Sequence, residues 1–235
     1  MKILIAPGAF KHSLTQTEAA DRIAAGLMRS GLDAELHRLP LADGGNGTLD
    51  AFLAGGGRRV TVATVNANDR PIEADYGLLD DGRTAVIEMA LASGLELIAA
   101  RELAPLTAST YGTGVLLRHA LEAGARRFII GLGGSGGTAG GAGCLQALGV
   151  RLLARNGSPL PRGGAALADL HTIDVGGLDP RWHECEVIIA SDVENPALGE
   201  QGAAAVFAPQ KGATPADVTR LEAGLSRFFA AVAEQ

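Results

Sequence analysis

The sequence has no long apolar run and only two cysteines. No stretch of about 18 apolar residues that could cross a membrane occurs, and the N-terminal run KILIA stops at Pro7, too early for the core of a signal peptide. Cys144 and Cys185 lie far apart and form no CxxC or Cys/His cluster, which argues against a zinc site or a disulfide scaffold. We therefore expect a cytoplasmic protein that is not bound to a membrane.

Basic charge and aromatic side chains are also scarce. The net charge is -6, with 20 Lys and Arg against 26 Asp and Glu, so a surface that neutralises nucleic-acid phosphates is not expected. Six Phe, two Tyr and one Trp leave Ala, Leu, Val and Ile to fill the core. With 235 residues, 47% of them apolar, the chain has the composition of a globular enzyme-like protein of one large or two small domains.

Strand and helix patterns alternate in the first part of the chain. Residues 2–6 predict a strand buried on both faces, and residues 15–30 predict an amphipathic helix that Thr15 and Glu18 cap. AELHRLP predicts a second strand and TLDAFLAGGG a short helix. This order indicates an α/β fold with parallel pairing and right-handed crossovers.

From about residue 59 the pattern changes. RVTVATVNA, PIEADYGLL and RTAVIEMA are strand-like segments separated by turn signals, which predicts an antiparallel meander. Alternation then returns, with strands RFIIGL and HECEVIIASD and a final amphipathic helix that Thr214 caps and Pro215 opens. A domain boundary near residue 65 fits the change.

The glycine loop, residues 131–141, lies in the stretch IIGLGGSGGTAGGAGCLQALG, between a predicted strand and a predicted helix. Backbone N–H groups and a helix N-terminus can hold an anion there, phosphate first of all, although a tight turn with close backbone packing needs the same glycines. GLGGSG also satisfies the dinucleotide fingerprint, but Arg155 stands where an acid would bind the ribose, which leaves an NADP-dependent oxidoreductase as an alternative. No lysine follows the glycines, so the pattern is not a P-loop.

Three other segments place charged residues beside glycines at the ends of predicted strands. They carry Lys11, Asp43, and Asp192 followed later by Lys211. In open α/β sheets, ligands bind beyond the carboxyl ends of strands. Taken singly, the lysines could be solvated and the aspartates could cap turns or helices. Together they supply the cations, carboxylates and N–H groups that phosphoryl transfer requires, and either aspartate could hold Mg²⁺ or accept a hydroxyl proton.

Four long segments, taken in order, resemble a known family. IAPGAFKHSLTQTEAA, LPLADGGNGTLDAFL, GLGGSGGTAGGAGCLQALG and ASDVENPALGEQGAAAVFAPQKGAT are similar, in order and spacing, to motifs of the bacterial glycerate kinases that are unrelated to P-loop kinases. The resemblance covers nearly the whole chain. It implies ATP- and Mg²⁺-dependent phosphorylation of a hydroxyl of D-glycerate, usually giving 2-phosphoglycerate.

The resemblance also implies two α/β domains around a cleft. Residues 1–65 would be the N-terminal part of a Rossmann-like first domain, and residues 66–235 an inserted second α/β domain with a mixed sheet. The family continues beyond Gln235 through strands that complete the first domain. Strand KILIA therefore lacks neighbours, which predicts marginal stability, pairing with another chain as a homodimer, or impaired activity.

The site residues follow from the same resemblance. Lys11, Asp43 and Asp192 are the catalytic candidates, and Asp192 or Asp43 would hold the metal. Lys11 and Lys211 would offset phosphate charge. The residues that would bind substrate and phosphate are Ser13, Gly44, Gly45, Gly133, Gly134, Ser135, Thr138, Asn195, Gln210 and Lys211.

Three positions depart from the family pattern. Gly8, Asn46 and Ala139 stand where the family usually carries acidic or polar residues. A non-catalytic, ligand-binding relic of the kinase family is therefore a further alternative.

Overall fold

The computed structural model describes residues 1–8, 10, 13–79 and 82–234. The chain is a mixed α/β protein, as predicted. Its strands are β1 (Lys2–Ile5), β2 (Glu35–Arg38), β3 (Arg58–Val65), β4 (Pro71–Leu78), β5 (Thr84–Glu88), β6 (Arg127–Gly131), β7 (Arg151–Ala154), β8 (Leu170–Asp174) and β9 (Glu186–Ala190). Its α-helices are α1 (Gln16–Arg29), α2 (Thr48–Leu53), α3 (Ala90–Ser93), α4 (Tyr111–Glu122), α5 (Ala142–Ala147), α6 (Ala203–Phe207) and α7 (Pro215–Ala233).

The first strand–helix–strand unit forms its own two-stranded sheet. β1 and β2 pair in parallel, and α1 covers one face, where Ile5, Ala20 and Ala24 are buried. The predicted capping box is present, because the Thr15 hydroxyl accepts the Glu18 N–H and the Glu18 carboxylate accepts the Thr15 N–H. This unit delivers the chain to the loop that precedes α2.

The prediction that β1 is buried on both faces is wrong. The Leu4 side chain is 62% exposed, whereas Ile5 beside it is buried. β2 is the only strand that pairs with β1 in the part of the chain that the structure describes. In this two-stranded sheet, the face of β1 that carries Lys2 and Leu4 is exposed.

The larger sheet has five strands in the order β3-β4-β5-β6-β9. β3, β4 and β5 are antiparallel neighbours, which confirms the predicted meander, and β5, β6 and β9 are parallel, so the sheet is mixed as expected. The parallel register places Glu88, Gly131 and Ala190 side by side at the carboxyl ends of their strands. We call these three residues the carboxyl-end row.

Two helices pack on the larger sheet. α4 packs on β3, β4 and β5 and α2 packs on β4 and β5, so that Tyr76, Leu116 and Phe128 are fully buried. Each such side chain stabilises the fold by about 1.5–3 kcal/mol relative to an exposed one. The antiparallel pair β7-β8 packs against α7 in a second cluster around Leu152 and Phe228.

Helix α7 begins as the sequence predicts. Its cap Thr214 accepts the Asp217 N–H, Asp217 accepts the Thr214 N–H in return, and Pro215 is the first helical residue. No helix in the described ranges is long and apolar enough to cross a bilayer.

The division of the chain at residue 65 stays a prediction. β3 pairs with β4 along its whole length, so a cut after Val65 would remove an edge strand from the five-stranded sheet. The helices α3 and α6 escape sequence patterns because four or five residues are too few to show a helical period.

Candidate functional site

The candidate site lies beyond the carboxyl-end row. After Gly131 the chain enters the glycine loop, and after Ala190 it continues through Ser191 to Asp192. Residues 43–47, here called the aspartate loop, reach the same edge from the other sheet. The parallel pairing of β6 and β9 brings the glycine loop beside the Asp192 segment.

The two loops meet backbone to backbone. The Gly133 N–H donates to the Gly44 carbonyl at 2.8 Å. A Cβ at Gly131 would lie 2.6 Å from the Gly44 oxygen, and a Cβ at Gly133 would lie 2.5 Å from the Gly45 Cα. These glycines exclude side chains because another loop of the same protein passes against them. The close-packing interpretation is therefore correct for them, and anion binding by the glycine loop stays a prediction.

The contact extends to the third strand of the row. Gly44 has φ 89°, and a Cβ there would collide with the Ala190 carbonyl. Gly134, with φ 71°, faces the Asn46 side chain, whose Nδ2 donates to Glu96 Oε2 at 2.7 Å. The structure thus brings Gly44, Gly45, Gly133 and Gly134 together next to the segment that carries Asp192.

The two candidate carboxylates are exposed. Asp43 Oδ1 accepts the Gly45 N–H at 2.9 Å, which fixes the side chain over its own turn, and the residue is exposed. Asp192 lies two residues beyond Ala190 and is equally open to solvent. Both side chains are accessible to a ligand at the carboxyl end of the sheet.

Lys211 supports the glycine loop from inside the protein. Its side chain is buried, and Nζ donates to Ser135 Oγ at 2.9 Å and to the Gly137 carbonyl. Burial lowers the pKa of the ammonium group to about 8. The sequence predicts that Lys211 binds phosphate, and this stays a prediction. It gives no sign that the hydrogen bonds of Lys211 hold the glycine loop.

Thr138 offers a buried and unused hydroxyl. Its side chain is 6% exposed, and Oγ1 has no hydrogen-bond partner within the described residues. A buried hydroxyl without a partner costs free energy, and such groups often await water or a ligand. This agrees with the place of Thr138 among the predicted ligand-binding residues.

The remaining predicted residues lie around the edge. Ser13 is exposed, and its N–H donates to the Phe10 carbonyl at 2.9 Å. Asn195 Nδ2 donates to the Gln201 carbonyl at 3.0 Å within its own loop, and Gln210 is exposed beside Lys211. Lys11 lies outside the described residues.

Glu88 is a site residue that sequence reasoning missed. It ends β5 in the carboxyl-end row, is 2% exposed, and accepts the N–H groups of Gly47 and Leu49 at 3.0 and 2.9 Å. Burial raises the pKa of its carboxyl group. The sequence does contain one signal for Glu88, an acidic residue at the end of the apolar segment RTAVIEMA. A carboxylate in such a strand is expected to be buried, and a buried carboxylate needs hydrogen-bond partners.

Metal binding by protein side chains alone is not supported. Among the described residues, no three His, Cys, Asp or Glu side chains gather into a possible metal site. Mg²⁺ is commonly held by one or two carboxylates together with phosphate oxygens and water. The exposed Asp43 and Asp192 fit that lesser requirement.

The glycine loop does not have the geometry of a dinucleotide fingerprint. In that motif the glycines open the helix that follows the strand. Here GLGGSG ends at Gly136, whereas α5 begins only at Ala142 and is six residues long. The NADP alternative therefore has no support in the structure.

Gly133→Ala should push the two loops apart. The new Cβ would lie 2.5 Å from Gly45 Cα and 2.9 Å from Gly45 N, so backbone must shift. We expect the free energy of unfolding to fall by about 1–3 kcal/mol in urea titrations. Gly8→Ala is the matched control, since its Cβ meets nothing within 4 Å. Equal stability of both variants would contradict the close contact.

Lys211→Met should change how stability depends on pH. Because the pKa is about 8 in the folded protein instead of 10.5, the unfolded chain binds more protons between these values. The wild type therefore gains stability relative to the variant as the pH rises from about 8 to 10.5, and loses that gain as the pH falls through 8. Urea unfolding at several pH values measures the difference. Lys2→Met, at an exposed lysine, controls for net charge, and a difference independent of pH would count against a desolvated Lys211.

Comparison with known proteins identifies one family. A family model described as the glycerate kinase family matches residues 3–235. Glycerate kinase of Bacillus subtilis is 48% identical over 229 residues, and glycerate 2-kinase of Escherichia coli is 44% identical over 230 residues. Each alignment covers 97% of this chain and 60% of the relative.

A crystal structure from Salmonella typhimurium LT2, assigned as glycerate kinase 2, superposes with a TM-score of 0.88 at 46% identity. The match covers 100% of this chain and 63% of that one. The chain thus spans about 60% of the length of the relatives it matches. On the family match and these identities, the chain belongs to the glycerate kinase family.

Proposed function

We propose that the protein transfers the terminal phosphoryl group of ATP to a hydroxyl of D-glycerate, giving 2-phosphoglycerate. The names of the relatives support this substrate and reaction. The observation that carries the proposal is the contact of the aspartate loop with the glycine loop, through the 2.8 Å bond from Gly133 N to Gly44 O. It places a carboxylate and a set of backbone N–H groups at one edge of the sheet.

Phosphoryl transfer asks the protein for positioning and charge stabilisation more than for covalent chemistry. Asp43, held through Oδ1 by the Gly45 N–H, would use its other oxygen to orient and deprotonate the attacking hydroxyl. The glycine loop would hold anionic oxygens with its N–H groups and the Thr138 hydroxyl. Because the Lys211 ammonium lies behind this loop, its charge would act on a bound phosphate through the loop.

Mg²⁺ would neutralise charge on the phosphates of ATP when bound. Asp192, exposed beyond β9, is the residue that we propose to hold it, with Asp43 as the second carboxylate.

The homodimer stays a prediction.

A coupled assay for ADP with ATP, Mg²⁺ and D-glycerate tests the proposed reaction. We expect ADP release that depends on glycerate, and a phosphorus NMR signal for 2-phosphoglycerate. No turnover from folded protein, together with no thermal shift from either ligand, would refute it. Ligand binding without turnover would favour the relic, and an NADPH fluorescence titration that saturates would favour the oxidoreductase.

Asp43→Asn should abolish most of the activity without unfolding the loop. The amide oxygen can still accept the Gly45 N–H, but the group can no longer act as a base or bind a cation strongly. We expect kcat to fall by about 100-fold or more, with a smaller change in the KM for glycerate. Asp33→Asn, at an exposed aspartate that precedes β2 and lies outside the loop, is the control. Full activity of Asp43→Asn would remove Asp43 from the mechanism.

A further inference from the structure

We propose that Glu88 is a positioning residue that holds the aspartate loop, and with it Asp43, in the geometry needed for phosphoryl transfer. The inference rests on the proposed function for its catalytic consequence. Its structural basis is independent: a buried carboxylate in the carboxyl-end row whose two oxygens each accept a backbone N–H of the loop–helix junction.

The bonds of Glu88 fix the point where the aspartate loop becomes α2. Oε1 accepts the Gly47 N–H at 3.0 Å, and Oε2 accepts the Leu49 N–H at 2.9 Å. These N–H groups belong to the first turn of a helix, where no carbonyl of the helix itself can accept them. The cap residue Gly47 has no side chain that could do so, and Glu88 supplies the missing acceptor from a neighbouring strand.

A short chain of hydrogen bonds leads from this junction to Asp43. The Thr48 hydroxyl, in a side chain that is 1% exposed, donates to the Gly45 carbonyl at 2.7 Å. The Gly45 N–H in turn donates to Asp43 Oδ1 at 2.9 Å. A shift of the Gly47–Leu49 segment would therefore move the Asp43 carboxylate.

The opposite side of the junction is closed by Gln16. Gly47 has φ 87°, and a Cβ there would collide with the Gln16 carboxamide. Gln16 is 2% exposed, and its two polar atoms have no partner in the described part of the chain, so it confines Gly47 by contact alone. Glu88 is the side chain that accepts the Gly47 and Leu49 N–H groups of this segment.

The charges around Glu88 do not neutralise it by a direct bond. Asp50 on α2 disfavours its ionisation and Arg59 on β3 favours it, but the Arg59 guanidinium donates to Asp50 and Asp75. Since burial raises the pKa of Glu88, the stability that this group contributes is present at low pH and is lost as the pH rises through the raised pKa. The ionised form, which is the stronger acceptor for both N–H groups, therefore forms at a cost to global stability. A buried carboxylate whose ionisation lowers stability is typical of a functional site.

Glu88→Gln tests the inference, because it preserves the shape of the side chain but presents an amide NH₂ to one of the two N–H groups. We expect hydrogen exchange at Gly47 and Leu49 to accelerate by about 10- to 100-fold, from the loss of a bond to a charged acceptor. We expect kcat to fall by a similar factor, with the KM values for Mg-ATP and glycerate within about 3-fold of the wild type. Glu73→Gln, at an exposed position on β4, should change neither.

Three results separate the possibilities. Unchanged exchange at Gly47 and Leu49, or an unchanged kcat in a variant with faster exchange, would overturn the positioning role. A wild-type protein that does not phosphorylate glycerate would refute the proposed function, while the exchange comparison still decides whether Glu88 holds the loop. If Glu88→Gln does not fold, exchange in the wild type at falling pH is the measurement. Local opening that breaks the two bonds while Glu88 stays buried becomes easier once the carboxyl group is protonated, so protection of the two amides, corrected for intrinsic rates, should decrease above the pH range of an ordinary glutamate. Protection that persists to that range would overturn the proposal.

Discussion

Close approach of two backbones, without side chains between them, is the constraint on which the candidate site depends. Gly44 lies against Gly131 of β6 and against the Ala190 carbonyl of β9, and the Gly133 N–H donates to the Gly44 carbonyl. No residue with a Cβ fits these positions without moving backbone. The aspartate loop is therefore seated on the ends of two parallel strands, and the direction of those strands determines where Asp43 and the Asp192 segment meet.

Two buried charges of opposite sign support this contact from within, and each is bonded to loop groups. Lys211 donates to Ser135 and to the Gly137 carbonyl on the glycine loop, and Glu88 accepts two N–H groups behind the aspartate loop. Desolvation lowers the pKa of Lys211 and raises the pKa of Glu88, which favours the neutral form of each group. Because the structural bonds are made by buried groups, the exposed Asp43 and Asp192 remain available to ligands.

The sequence predicts the elements well and the tertiary partners poorly. Periodicity and capping signals locate α1, α7 and the β3–β5 meander, and the rule that strand ends gather at one edge accounts for the glycine loop beside the segment that follows β9. The local sequence does not show which neighbour makes a glycine necessary. The backbone that leaves no room for a Cβ at Gly133 is that of Gly45, far away in the chain. The burial of Lys211 and Glu88 is likewise set by packing, and the exposure of Leu4 by how many strands pair with β1.

The departures from the family pattern also have physical reasons at two positions. The Asn46 amide donates to Glu96 at 2.7 Å, so a carboxylate at position 46 would place two negative charges in contact. Ala139 is 5% exposed in the apolar cluster of α5 and α7, where an unpaired acid would be strongly disfavoured. Both residues fit their surroundings in this chain, and the packing around them is coherent. Local packing thus accounts for both departures, and they do not by themselves favour the non-catalytic relic.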